Sequence, residues 1–364
     1  MLDEIQITNV RNILQESLTL GSKFNVFYGA NGSGKTSVLE SIYLVSTAKS
    51  FRTNLTNKII NQNNLSLTVF ARIARLGDTL RVGVNKSLEA NTIRLNGNEI
   101  KTLSELAELL PVLVIEQDSH KLLESGPQWR RKFLDWGLFH VKHDFNTLSL
   151  NYRKALKQRN ALLSTGSSRE EIRSWSVNLA ELGERYSKER SDYIAHISPY
   201  FQEYVSLLLG ITESSISYKT GWKKGESLLT CLGDQIDRDI LYRTTNSGPH
   251  KGDISILLDG KEAKDLVSRG QQKLLVYALK LAQVSYLKNV TEKETLLLLD
   301  DLGSELDVHH SSNLLDLLSS SFGQVCITTA NLDSIPLSNM LNVKLFHVKH
   351  GTIEVNNQLS NHND

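Results

Sequence analysis

Gly29-Ala30-Asn31-Gly32-Ser33-Gly34-Lys35-Thr36 fits G-x-x-x-x-G-K-[ST] without a deviation. Glycines at these positions let successive backbone N–H groups turn inward on an anion, and the helix that follows adds the favourable end of its dipole. The flanks agree with that reading. Residues 24–28 read as a short buried strand feeding the loop, and residues 36–46 as a helix leaving it. A loop of this kind wraps a nucleoside triphosphate. Lys35 is then placed to reach the β- and γ-phosphates, and the Thr36 hydroxyl to complete a Mg²⁺ shell. An ordinary glycine-rich strand-to-helix turn is the weaker alternative.

The 364 residues suit two domains, or one large domain with an insertion. Hydrophobic residues make up 40% and charged residues 22%, the composition of a globular protein with ample core. No stretch approaches 18 consecutive apolar residues, which argues against a transmembrane span and a membrane partner. Met1-Leu2-Asp3-Glu4-Ile5 lacks the basic and then apolar character of a signal peptide. Cys231 and Cys326 stand far apart, which fits a reducing cytoplasm and supplies no disulfide or zinc framework.

The formal net charge of +1 neither supports nor excludes a polyanionic partner. The distribution is more informative. Between residues 128 and 160, Arg130, Arg131, Lys132, Lys142, Arg153, Lys154, Lys157 and Arg159 face only Asp135 and Asp144. That excess is compatible with phosphate contacts, through Arg130, Arg131 and Lys132 or through Arg153, Lys154 and Lys157. It is equally compatible with solvated helix faces.

Residues 1–120 read as strand-rich around the one P-loop helix. Residues 65–73 and 80–84 alternate as strands, 92–100 form a hairpin turning at Asn96-Gly97, and 112–115 suit a buried strand. Residues 121–240 form a second, helical region. It breaks at Thr165-Gly166-Ser167-Ser168, and Ser168 with Glu171 forms a capping box that restarts a helix. Trp175, Leu179, Leu182, Tyr186, Tyr193, Ile197, Phe201, Tyr204 and Leu208 then share one stripe. Pro199 is expected to kink or split that helix, leaving an antiparallel arm of roughly 40 Å. Residues 241–364 return to αβ character, with strands at 254–258, 296–299 and 325–328 and a helix after Gly270. The polar end from residue 356 on reads as frayed.

Residues 296–299 end in Asp300-Asp301. Beside a P-loop, such a pair divides into a metal-orienting acid, Asp300, and one that polarises the attacking water, Asp301. Lys35 and Asp301 are thus the candidate catalytic residues. Val267-Ser268-Arg269-Gly270-Gln271 opens a helix and resembles the signature motif of ATP-binding-cassette (ABC) proteins, with Arg269 where glycine is common. Ser304-Glu305-Leu306-Asp307 resembles that family's D-loop. The order of the four motifs is also the family's order. There the signature of one subunit caps the ATP held by another, so Ser268, Arg269, Gly270, Gln271 and Asp307 join the P-loop as candidate ATP contacts.

Lys35 and Asp300 lie far apart, with a short helical arm between them, whereas a compact transporter ATPase has little sequence there and a tether of the SMC type has a much longer arm. Three blocks sharpen the comparison: residues 29–43 running into Lys49-Ser50-Phe51-Arg52, then 130–137, then 244–253. Together they resemble the RecF family of bacterial recombination-mediator ATPases nearly end to end. The resemblance implies an α/β, ABC-type P-loop ATPase head of the SMC kind, with a helical second lobe. It implies an ATP- and Mg²⁺-dependent homodimer that binds double-stranded and gapped DNA and hydrolyses ATP weakly, with DNA stimulation. It implies cooperation with RecR and RecO in placing RecA on SSB-coated strands, with links to replication restart and SOS induction. Two positions depart from the pattern. Thr328-Thr329-Ala330 stands where a γ-phosphate-sensing histidine is common, and the glutamine that touches Mg²⁺ maps loosely to Gln117, with Glu116 nearly as good. Arg11-Asn12 either approaches the nucleotide or forms a surface turn.

Overall fold

The computed structural model describes residues 1–75, 77–100, 102–302, 306–340 and 342–356. The chain forms two compact units, one of residues 1–119 together with those from 292 onward, the other of residues 120–291. The boundary expected at 120/121 falls one residue earlier. The one expected at 240/241 is replaced by 291/292, because the long helix after Gly270 packs on the helical arm.

Two sheets build the first unit. β1 (Leu2–Val10), β2 (Ile13–Thr19), β4 (Ser66–Arg75), β5 (Asp78–Ser87), β6 (Asn91–Leu95) and β7 (Asn98–Glu99) are antiparallel, in the order β2-β1-β4-β5-β6-β7. The expected turn between β6 and β7 has Asn96 and Gly97 both at positive φ, as a type I′ turn requires. β3 (Phe24–Tyr28), β8 (Val112–Ile115), β12 (Leu296–Leu299), β13 (Val325–Thr329), β14 (Val343–Lys349) and β15 (Thr352–Asn356) run in the order β15-β14-β3-β13-β12-β8. Among the described residues, only β15 is antiparallel in that sheet. β12 is a continuous, wholly buried apolar run, as a strand covered on both faces requires. α1 (Lys35–Thr47) shares one core with both sheets, through Val38, Leu39, Ile42 and Val45 against Ile5, Val69, Phe27 and Leu298. α2 (Leu103–Leu109) and α10 (Val308–Ser321) complete the unit's helices among the described residues.

The second unit runs through α3 (Lys121–Glu124), α4 (Pro127–Val141), α5 (Phe145–Thr165), α6 (Arg169–Leu209), α7 (Leu228–Asp234), α8 (Ile236–Tyr242) and α9 (Arg269–Thr291). A small sheet, β11-β10-β9, joins them from β9 (Ser214–Lys219), β10 (Asp253–Leu258) and β11 (Lys261–Glu262). Ser168 and Glu171 form the reciprocal capping box at the start of α6. Pro199 does not split the helix, which runs 41 residues without interruption. At 1.5 Å per residue it is about 60 Å long, not 40. Burial of Tyr193, Ile197, Phe201 and Tyr204 on both sides of Pro199 holds the helix together despite the missing N–H. Trp175 falls off the buried stripe and is 38% exposed.

Buried polar groups account for Thr245 and His250 in one block that carries the family resemblance, and a close approach for Gly137 in another. Arg159 and Asp239 are fully buried and paired at 2.8 Å, and Arg159 also donates to Thr245 Oγ1. His250 Nε2 donates to the Thr245 carbonyl, so Nδ1 accepts from the Tyr152 hydroxyl. Burial pushes the His250 pKa down to about 4 and keeps this arrangement neutral. Gly137 is demanded by close approach, since a Cβ there would lie 1.9 Å from Tyr193 Oη. No helix among the described residues is long and apolar enough to cross a membrane.

Candidate nucleotide site

The P-loop leaves β3 at Gly29 and enters α1 at Lys35. Gly29 has φ 148°, and a Cβ would lie 2.2 Å from the Val348 carbonyl oxygen, so glycine is obligatory. The carbonyls of Gly29 and Ala30 accept from Lys35 Nζ at 2.7 and 3.0 Å. Burial pushes the Lys35 pKa down, while the Asp301 and Asp300 carboxylates pull it back up. The Ser33 carbonyl accepts from Asn12 Nδ2 at 2.9 Å and from the Gly351 N–H at 2.7 Å.

β12 delivers the paired acids to the same place. Thr36 Oγ1 donates to Asp300 Oδ1 at 2.9 Å, and Gln117 Nε2 donates to Asp301 Oδ2 at 2.7 Å. Thr328, the first residue of the Thr328-Thr329-Ala330 stretch, donates its hydroxyl to Asp300 Oδ1 at 2.7 Å and accepts the Asp301 N–H at 2.8 Å. Asn31, Gly32, Gly34, Lys35, Thr36, Gln117, Asp300 and Asp301 line one cavity of about 500 Å³. Asn12 also lines it and Arg11 does not; the two residues form the turn between β1 and β2, with Asn12 exposed, so both readings for Arg11-Asn12 hold in part. Ser37, Arg52, Glu116, Asp118 and Thr328 complete the wall. Arg52 escaped the sequence reading as a site residue, because a single loop arginine carries no spacing signal.

The remaining sequence candidates lie elsewhere. Ser268 Oγ accepts the Gln271 N–H, and Gln271 Oε1 accepts the Ser268 N–H, a reciprocal cap at the start of α9. Ser268, Arg269 and Gly270 are exposed. A Cβ on Gly270 would meet nothing within 4 Å, so packing inside the chain does not require glycine there. Asp307 caps α10, accepting from the His310 N–H and Nδ1, and does not line the cavity. Ser304 and Glu305 lie outside the described residues, as do 357–364, where fraying was expected.

The two basic clusters differ. Arg130 is committed to the fold. Its Nε and Nη2 engage both Asp253 oxygens and its Nη1 the carbonyls of Leu122 and Ser125. Arg131 donates to the Gly252 carbonyl, leaving Lys132 as the exposed member, beside the Trp129 ring. Arg153, Lys154 and Lys157 are all exposed on α5, a helix without an acidic residue.

The model of the RecF/RecN/SMC N-terminal domain family matches residues 1–354. The DNA replication and repair protein RecF of Shewanella frigidimarina is 37% identical over 357 residues, 97% of this chain and 99% of that protein. The chain belongs to the RecF family. The RecF of Hydrogenovibrio crunogenus is 36% identical, with 96% of this chain and 98% of that protein covered. A structure of the recombination mediator RecF-ATPrS of the RecFOR pathway superposes with TM-score 0.85 at 25% identity, over 98% of both chains. The SMC head domain of Pyrococcus furiosus, at TM-score 0.60 and 16% identity over 98% of this chain and 95% of that one, shares the fold. The expected ABC-type head of the SMC kind is therefore the fold of this RecF-family chain.

Proposed function

We propose that this chain is an ATP-dependent DNA-binding protein of recombinational gap repair, in which ATP closes two copies head to head on DNA and slow hydrolysis releases them. The observation that carries the reading is the cavity where Lys35, the Thr36 hydroxyl and the Asp300-Asp301 pair converge. The donor set fits Mg²⁺, since Thr36 Oγ1 and the Asp300 carboxylate are hard oxygens side by side. A bound Mg²⁺ would neutralise charge developing on the β- and γ-phosphate oxygens. Lys35 exchanges its two loop carbonyls for phosphate oxygens. Asp301, oriented by Gln117 and Thr328, takes the proton of the attacking water as the bond from the γ-phosphorus to the bridging oxygen breaks and ADP leaves.

ATP as the nucleotide is supported by the similar RecF-ATPrS structure. The exposed α9 start, with a glycine that its own chain does not require, suits a partner's γ-phosphate. Asp307 belongs to the same trans contact on this reading. Family membership supports the cytoplasmic setting, DNA stimulation, cooperation with RecR, RecO, RecA and SSB, and the links to replication restart and SOS induction.

Gel filtration with ATP and Mg²⁺, with and without gapped duplex, tests the reading. The apparent mass should double with ATP and return to the starting value as ATP is hydrolysed. A mass indifferent to ATP would reject nucleotide-driven dimerisation.

For DNA, the structure favours α5 over the Arg130 cluster. Replacing Arg153, Lys154 and Lys157 with alanine should lower the log–log salt slope of duplex binding by about 2 to 3, at roughly 0.7 to 0.9 per lost phosphate contact. Lys132→Ala should change it by at most about 1. Equal slopes for the triple variant and wild type would make α5 a solvated face.

A further inference from the structure

Glu40 lies on α1 five residues beyond Lys35, with its side chain wholly buried. A buried carboxylate is unfavourable unless it is paired and its lone pairs are satisfied. Here Oε2 accepts from Arg11 Nε at 2.8 Å, and Oε1 accepts from Arg11 Nη2 at 2.9 Å and from the Ser50 hydroxyl. Each partner belongs to a turn that reaches the cavity. Ser50 Oγ accepts the N–H groups of Arg52 and Thr53 at 3.0 and 3.1 Å, which fixes the turn carrying Arg52. Arg11 is followed by Asn12, whose amide donates to the Ser33 carbonyl and accepts from Ser37 Oγ on α1.

The Arg11 backbone is strained. Its φ of 56° lies in the left-handed region, which arginine rarely adopts. Three ties hold it there: its N–H to the Ile59 carbonyl at 2.8 Å, its carbonyl to Asn61 Nδ2 at 2.7 Å, and its guanidinium to Glu40. Strain persists where surrounding contacts over-determine it, commonly beside a functional site. Asn12 and Arg52 both line the cavity, and one carboxylate ties both to the helix that carries Lys35.

We propose that Glu40 is a positioning residue for the nucleotide cavity, setting Asn12 through Arg11 and Arg52 through Ser50. The proposal rests on the ATP reading above and adds to it the residue that assembles the cavity walls. Glu40 does not itself touch the nucleotide.

A purely structural role for the pair makes a different prediction. A buried ion pair replaced by apolar side chains of similar volume often leaves stability unchanged. The double variant Arg11→Met with Glu40→Leu should therefore unfold near the wild-type temperature, yet bind ATP with Mg²⁺ about tenfold more weakly, because both turns lose their tie. Wild-type ATP affinity in the folded double variant would overturn the proposal. Ser50→Ala leaves the Arg11–Glu40 pair intact and should weaken ATP binding several-fold without shifting the unfolding temperature. If the double variant does not fold, unchanged affinity in Ser50→Ala overturns the proposal on its own. A wild-type protein that fails to bind ATP rejects the nucleotide reading too, whereas a binding wild type with indifferent variants rejects only the role of Glu40.

Discussion

Lys35→Ala should reduce ATP affinity about a hundredfold or more, while the protein keeps its fold. On the proposed reading Lys35 is the cation that meets the β- and γ-phosphates, and each charge-assisted bond it would form is worth about 1.5 to 3 kcal/mol. Its loss leaves the apolar core untouched, because Val38, Leu39, Ile42 and Val45 hold α1 between the sheets. Asp301→Asn separates binding from chemistry. The amide keeps the shape of the carboxylate but cannot take a proton from water, so hydrolysis should fall by about 10² to 10⁴ with binding intact. Titration with a fluorescent ATP analogue, beside phosphate release, reads both. Undiminished affinity in folded Lys35→Ala would remove the P-loop reading. Lost affinity in Asp301→Asn would reassign that carboxylate to the metal.

The parts of the site that were legible in sequence are those whose chemistry is tied to spacing. Gly29 to Thr36 announce themselves because a loop that turns its N–H groups inward needs glycines at fixed intervals. Asp300 and Asp301 were legible because they close a continuous apolar strand. For Asn12 the sequence offers two readings, and Arg52 stands in a block that carries the family resemblance without marking a role at the cavity, because loop residues reach the cavity through tertiary contacts that no local pattern encodes. Their ties run through Glu40, one residue of the helix that leaves the P-loop, which no sequence pattern marks as buried or paired. Thr328 is intermediate. Its place in the motif order was visible, but the hydroxyl shared between Asp300 and the Asp301 N–H was not.

The fold divides the same way. The Ser168–Glu171 cap was legible because both partners lie within one turn. β12 was legible because burial on both faces makes it uniformly apolar, and β3 and β13 because it makes them largely so, with Asn25, Thr328 and Thr329 as buried polar exceptions. Their order in the sheet was not, since β3 pairs with β13 and β14 across some 300 residues of chain. Pro199 does not split α6, because helix propensity is local whereas the burial on both sides of it is tertiary. The boundary near residue 240 misled for a similar reason. Strand character does return there, but compact units follow packing, and α9 packs on α6.

Ser268→Arg should abolish ATP-dependent dimerisation and, with it, hydrolysis and ATP-stimulated DNA binding, while monomeric ATP binding survives. The start of α9 is exposed and the P-loop cavity is lined entirely by other residues, so the substitution leaves the chain's own nucleotide contacts in place. The arginine instead occupies the surface where a partner's γ-phosphate would dock, and the coupling of ATP to assembly is lost. Mixing distinguishes this from general damage. In a heterodimer of Ser268→Arg with Lys35→Ala, one site pairs the intact Lys35 of the first chain with the intact Ser268 of the second. The other site carries both defects. If subunits assort at random and one loaded site suffices for closure, hydrolysis should recover to roughly a quarter of the wild-type rate, although neither variant alone is active. A capping residue serving only its own helix predicts no such recovery. Wild-type hydrolysis and dimerisation in Ser268→Arg alone would refute the trans contact.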